Sequence, residues 1–237
     1  MTRRRWLADE VSGTHAALTG THADHLIRVL RARVGQEFDI STGFSVHCGR
    51  ITKIGDQRVE FELGEEIPTE AKTHITLALS IFKFDRMEWA IEKCTELGAA
   101  EIVPLIAHRT DTHLAAASVK RIDRWKRIAR EAAEQSRRAT LPEVAMPLRI
   151  KEAAGLQTTN RILLNESEEQ VNFTDALDSC TPGSSLLLAI GPEGGWTEAE
   201  QQLFRASDWV SASLGETILR TETAAIAAVA IAMSRAR

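Results

Sequence analysis

One junction constrains the fold of this chain more than any other. The apolar run Ser185-Leu186-Leu187-Leu188-Ala189-Ile190 ends in Gly191-Pro192-Glu193-Gly194-Gly195, and Thr197-Glu198-Ala199-Glu200 follows. An unbroken apolar run of this kind predicts a strand buried on both faces, as in a parallel sheet under helices. Thr197 with Glu200 three residues on predicts a capping box that opens a helix. Between the two, glycines leave backbone bare at the carboxyl end of a strand, where α/β sheets bind ligands. The spacing is neither Gly-x-Gly-x-x-Gly nor a Gly-Lys-Ser/Thr loop. The expected ligand is a small molecule held without a grip on a pyrophosphate.

The rest of the second part of the chain alternates in the same way. Strands are predicted at Ile75–Ile81, Glu101–Ile106, Arg161–Asn165 and Trp209–Leu214. Helices are predicted after an Asp85-Arg86-Met87-Glu88 capping box, over Val119–Arg138, from Thr197, and over Glu222–Arg235. Alternation of this kind argues a mainly parallel α/β sheet with helices on both faces. The first part reads instead as β-rich, with strands at Glu37–Ile40, Ser45–Cys48, Ile51–Ile54 and Arg58–Leu63, turns or bulges at Gly43, Gly49 and Gly55, and one helix over His22–Arg33 capped by Thr21. The polar stretch around Pro68 places a domain boundary near residue 70.

Net charge is −4, which argues against a nucleic-acid partner until its distribution is read. Residues 1–33 sum to +3 and residues 120–138 to +5, leaving −12 on the remainder. Two basic islands on an acidic body suit one face turned to a polyanion, although solvated helix faces fit the same counts. At about 100° per residue, Ile122, Trp125, Ala129, Ala132 and Ala133 fall on one side of the second island. Lys120, Arg124, Arg127, Gln135 and Arg138 fall on the other. The three cysteines are scattered, without Cys-x-x-Cys, which points to a reducing compartment and no structural zinc. His22 and His25 lack a third ligand nearby, so no metal is expected there. No apolar run reaches membrane-spanning length, and no apolar signal core follows the N-terminal arginines; cytoplasm is expected. The run Ala224–Met233 is apolar all round, and a helix of that kind is buried in a core or against a partner subunit.

Beyond the glycine turn, the chain carries His25-Leu26-Ile27-Arg28-Val29-Leu30-Arg31, Lys83, Glu92-Lys93-Cys94-Thr95-Glu96-Leu97-Gly98, Arg109-Thr110, Glu131-Ala132-Ala133-Glu134-Gln135-Ser136 and Leu219-Arg220-Thr221-Glu222-Thr223-Ala224. With these motifs it resembles the ribosomal RNA small subunit methyltransferase E family along essentially its whole length. The resemblance implies a PUA-like, RNA-binding β-barrel over residues 1–70 and a SPOUT methyltransferase domain with a trefoil knot over 71–237. It also implies a homodimer, S-adenosylmethionine as methyl donor, and N3 of a uridine in 16S rRNA as acceptor. Mapped onto this sequence, the cofactor is held by Leu164, Asn165, Ile190, Gly191, Gly194, Gly195, Ser213, Leu214, Gly215, Ile218, Leu219 and Thr221. Arg220 stabilises the anion that forms on the base, and Glu193 or Glu222 acts as proton acceptor. RNA contacts are assigned to Arg3, Arg4, Arg5, His25, Arg28, Arg31, Lys83, Arg109, Arg124 and Arg138. Two other readings stay open: a related enzyme acting on another RNA such as tRNA, and a non-catalytic ribosome assembly factor.

Overall fold

The protein is described here from a computed structural model, covering residues 5–68 and 73–235; Arg3 and Arg4 lie outside that range. It folds as two compact units, one from the chain before residue 70 with Ala133–Leu141, the other from the remaining segments.

The first unit contains β1 (Arg5–Leu7), β2 (Glu10–Ser12), β3 (His15–Thr19), α1 (Gly20–Asp24), β4 (Glu37–Ser41), β5 (Val46–Gly55) and β6 (Arg58–Glu66). The strands form a six-stranded sheet in the order β1-β4-β5-β6-β3-β2. Only the β1–β4 pair is parallel. Leu18, Leu26, Ile40, Ile51, Val59 and Phe61 fill its core, as alternation along half-buried strands requires. The expected break at Gly49 is instead a register shift inside one long strand, β5. Gly49 is needed there because a Cβ would collide with the side chain of Ile40. The expected helix over His22–Arg33 starts earlier and stops sooner: α1 runs from Gly20 and widens at His25–Val29 into a π-helical turn. Leu30 N–H closes on the His25 carbonyl, and Arg31 then takes a left-handed φ of 50°. Thr19, not Thr21, occupies the cap position.

The second unit carries β7 (Ile75–Ser80), α2 (Phe84–Leu97), β8 (Glu101–Ile106), α3 (Thr112–Ser118), α4 (Ile122–Gln135), β9 (Glu143–Val144), β10 (Leu148–Arg149), α5 (Ile150–Ala154), β11 (Asn160–Leu164), α6 (Phe173–Asp178), β12 (Leu186–Ile190), α7 (Glu198–Ala206), β13 (Val210–Ala212) and α8 (Thr221–Arg235). The last turn of α4 belongs to the first unit. All seven strands are parallel, in the order β10-β8-β7-β12-β11-β13, with β9 beside β8. Two apolar clusters cover the sheet, one including Leu77, Leu188 and Ile190, the other Ala78, Leu187 and Ala189. Alternate residues of single strands serve opposite faces, so this is an α/β sheet covered on both sides.

Two expected helix starts are corrected. Asp85–Glu88 is not a capping box: α2 begins at Phe84 after Lys83, which makes no side-chain cap bond. Glu88 instead accepts two hydrogen bonds from the Arg124 guanidinium, at 2.6 and 2.7 Å, a stronger partner than a helix-end amide. The single long helix expected over Val119–Arg138 is shorter at both ends: Val119–Arg121 form a 3₁₀ turn after α3, α4 spans Ile122–Gln135, and Arg137 turns out at a left-handed φ of 54°. Asp111 caps the separate α3 through His113 N–H and Leu114 N–H. The capping box at Thr197 is present as read, and Gly98 ends α2 at a φ of 119°.

Candidate active site

Leu164 and Ile190 end adjacent strands in register, and Ala212 pairs with Leu164 from the other side. Each strand is followed by irregular chain, and the three carboxyl ends enclose a cavity of about 500 Å³ counted out to open solvent. Its wall includes Leu164, Asn165, Ile190, Gly191, Leu214, Gly215, Leu219 and Thr221, drawn from both glycine-bearing motifs. The turn is shaped from below. Trp196 folds back and its indole N–H donates to the Leu164 carbonyl at 2.8 Å. A Cβ on Gly191 would stand 3.2 Å from that indole, closer than real side chains usually come. Gly195 N–H closes the turn on the Pro192 carbonyl at 2.8 Å, with a left-handed φ of 69°. Any Cβ at Gly195 would also run into the Glu166 carboxylate.

A second cavity of about 750 Å³, again counted to open solvent, is lined by Arg86, Glu166, Pro192, Glu193, Gly195, Ile218, Leu219, Arg220 and Thr221. It shares Glu166, Pro192, Leu219 and Thr221 with the first. The first cavity has no lysine or arginine in its wall, and the second has two arginines and two glutamates. Arg86 Nη1 lies 3.7 Å from Glu193 Oε1 and 3.5 Å from Glu222 Oε1, so one guanidinium spans both candidate proton acceptors. Glu193 is open to solvent, whereas Glu222 is 4% exposed and its Oε2 has no hydrogen-bond partner. Arg220 is exposed, and among the described residues no carboxylate lies within ion-pair distance of it. Arg220 and Glu222 do not pair with each other; Glu222 faces Arg86.

The predicted cofactor residues divide. Gly195 and Ile218 line the second cavity rather than the first. Ser213 lines neither; its N–H donates to the Val171 carbonyl and its carbonyl accepts from Phe173 N–H. Gly194 also lines neither, and its carbonyl accepts a hydrogen bond from the Arg109 guanidinium. Arg109 thus fastens the 107–110 loop to the glycine turn. The residues assigned to RNA are mostly exposed but several are engaged: Arg124 with Glu88, Arg28 with Asp24, and Arg5 with the Arg137 carbonyl. Lys83 sits exposed at the start of α2, and His25 and Arg31 are exposed in the first unit. Arg138 is half-buried, and burial holds its guanidinium down at about 10, still charged at neutral pH. Arg86 and Glu166 were missed by sequence reasoning. Arg86 is one arginine in an ordinary helix start, and only the packing of α2 beside Glu222 reveals its role.

The RNA methyltransferase domain family matches residues 69–233. A Bacillus subtilis relative named Ribosomal RNA small subunit methyltransferase E is 33% identical over 228 residues, covering 90% of this chain and 87% of its own. A Synechocystis relative of the same name is 33% identical over 227 residues, covering 94% and 74%. A solved Ribosomal RNA small subunit methyltransferase E from Neisseria gonorrhoeae, bound to S-adenosyl methionine, superposes with a TM-score of 0.77 at 32% identity, covering 96% of this chain and 95% of that one. With a domain match over most of the chain and relatives of this identity along nearly all of it, the chain belongs to the ribosomal RNA small subunit methyltransferase E family.

Proposed function

We propose that this protein is an S-adenosylmethionine-dependent methyltransferase that methylates N3 of a uridine in 16S rRNA. The observation that carries the reading is the pairing of two adjoining cavities, one walled by backbone and aliphatic side chains, the other by charges. The first fits the cofactor. It offers no cation, and S-adenosylmethionine has no phosphate to meet one. Its carboxylate, Glu166, suits a ligand that carries sulfonium and ammonium charges. Leu164, Ile190, Leu214 and Leu219 would flank the adenine, with the backbone of Gly191 and Gly215 free to approach it.

Bound there, the cofactor supplies an electrophilic methyl group. The chain's own work is on the acceptor. Uridine N3 carries a proton at neutral pH, and losing it spreads negative charge over N3 and the flanking carbonyl oxygens. Arg220, uncommitted to any carboxylate, stabilises that charge as it forms. Glu193 faces the cavity and solvent and takes the proton, while Glu222 is too buried to reach a base. Arg86 fixes the Glu193 carboxylate and leaves Arg220 free.

In this reading residues 1–70 form a PUA-like barrel that binds RNA, and residues 71–237 a SPOUT domain with a trefoil knot, working as a homodimer in the cytoplasm. The mixed six-stranded sheet of the first unit supports the barrel, and the order β12-β11-β13 supports a threaded C-terminal segment. The dimer is supported by α8. Ala225, Ala228, Val229 and Ala232 are buried, whereas Ile226, Ala227, Ala230 and Ile231 on its other side are only half-covered within one chain. The test is to incubate small ribosomal subunits and tRNA with labelled cofactor and digest both to nucleosides. 3-Methyluridine from 16S rRNA is expected. Label in tRNA alone would instead favour another RNA substrate, and cofactor binding without transfer would favour an assembly factor.

A further inference from the structure

We propose that Phe44 is a stacking platform for an unpaired RNA base, carried by the unit in which the two basic islands meet. Phe44 is 92% exposed. A single exposed apolar side chain needs no explanation, but the turn that carries this one is unusually well determined. Thr42 N–H donates to the Ser45 carbonyl at 2.9 Å, and Thr42 Oγ1 accepts from Ser45 N–H at 3.2 Å. Gly43 N–H donates to Ser41 Oγ at 3.1 Å, with Gly43 buried at a φ of 94°. Ser45 Oγ meets His47 Nε2 at 2.9 Å, while His47 Nδ1 lies 3.1 Å from the Gly64 carbonyl. The carbonyl must accept, so His47 Nδ1–H donates to it, and the ring bridges the turn to the neighbouring strand. The aromatic ring is therefore displayed from a rigid support, which lowers the entropy lost when something packs on it.

The same turn is tied to the chain segment that ends the second basic island. Gly43 bridges Thr140, Leu141 N–H donates to the Gly43 carbonyl at 3.2 Å, and Ser41 Oγ donates to the Ala139 carbonyl at 2.5 Å. Three residues before Thr140 stands Arg137, exposed and held at a φ of 54°. Its carbonyl accepts from Arg5 Nη1 at 3.2 Å, and Arg5 belongs to the first island and pairs through β1 with β4, the strand that leads into the turn. Two basic stretches more than a hundred residues apart thus meet in the unit that displays the bare ring. An exposed aromatic face on a unit that also presents Arg137 matches an unpaired nucleotide, whose base stacks while its phosphates meet cations.

The inference rests on RNA being the substrate. Its test measures binding of a short single-stranded RNA oligonucleotide across a salt series, for the unmodified protein and for Phe44→Ala, Phe44→Trp and Arg137→Ala. Phe44→Ala should weaken binding roughly tenfold with an unchanged salt slope, because stacking releases no counterions. Arg137→Ala should lower the slope by about one. Phe44→Trp should keep the affinity, and its added fluorescence should be quenched by RNA. Phe44→Ala binding RNA as tightly as the unmodified protein would overturn the platform, as would a lighter species for that variant in sedimentation, which would make the ring a contact between copies of this chain. An unmodified protein that binds no RNA would bring down the RNA reading itself.

Discussion

The two adjoining cavities of the second unit are built from overlapping residues yet have opposite characters. The first is walled by strand ends and glycines, with Glu166 its single charged side chain. The second gathers Arg86, Glu166, Glu193 and Arg220. A wall of backbone and aliphatic groups can bind a nucleoside at little electrostatic cost, and it depends on shape. A wall of charges can change the protonation of what enters it, and it depends on how those charges are partnered. Substitution in the first should therefore act on binding, and substitution in the second on turnover.

The strongest test is Arg220→Ala. Turnover of rRNA should fall about a hundredfold or more, as for loss of an oxyanion-stabilising donor, with cofactor affinity unchanged by calorimetry. Normal single-turnover chemistry with lost RNA binding would make Arg220 a positioning residue and dissolve the contrast between the cavities. Gly191→Val should do the reverse, because Gly191 lines the first cavity and a Cβ there would already stand 3.2 Å from the Trp196 indole. Cofactor affinity should drop by at least tenfold in the same calorimetric measurement, while circular dichroism reports a folded protein.

Arg86→Gln tests the charged wall from within. Removing the guanidinium leaves the Glu222 carboxylate buried beside no cation, and stability should fall by about 1–3 kcal/mol in urea unfolding. Glu222→Gln in the same background should restore most of it, since the charge that lost its partner is then gone. A double variant no more stable than Arg86→Gln alone would show that the pair is incidental.

The smallest expected effect lies in the first unit, where His22 sits 3.3 Å from Asp9 and 3.2 Å from Glu134. Its hydrogen bond to Glu134, against a smaller opposing cost of burial, raises its pKa from 6.5 to about 9. A raised pKa stabilises the fold fully below 6.5, and that contribution is lost as pH rises through about 9. Stability of the first unit should fall by about 1–2 kcal/mol between those limits, after screening by solvent. His22→Gln should flatten the profile; an unchanged profile would remove the triad from the account.

Much of the second unit was legible because its signals are local. The apolar runs at Ile75, Glu101 and Leu186, the Thr197 box and the Gly98 stop each depend on a few consecutive residues, and these five features lie within about two residues of where they were read. The first unit was less legible. Strands β1 to β3 are three to five residues long and partly exposed, so no alternation could be read over them. The π-turn after α1 was missed because helical periodicity does not register a single inserted residue. In α8, uniform apolarity was read as burial in a core or against a partner subunit, a choice it cannot make, and one chain covers only one stripe.

By itself the sequence determined the parallel α/β plan and the place of the glycine turn at a strand end, because strand period, caps and glycines act within a few residues; the joining of that turn with the Leu219–Ala224 motif came from the family resemblance. Only the tertiary structure decided the partners. Glu222 faces Arg86 and not its sequence neighbour Arg220, since a helix start directs successive side chains apart while α2 packs alongside. Gly194 is gripped by Arg109, and the end of one basic island is laid against the other, eighty-five and one hundred and thirty-two residues away in sequence. Charges find partners through space, where desolvation and geometry set the outcome, and nothing in the spacing of residues along the chain encodes that distance.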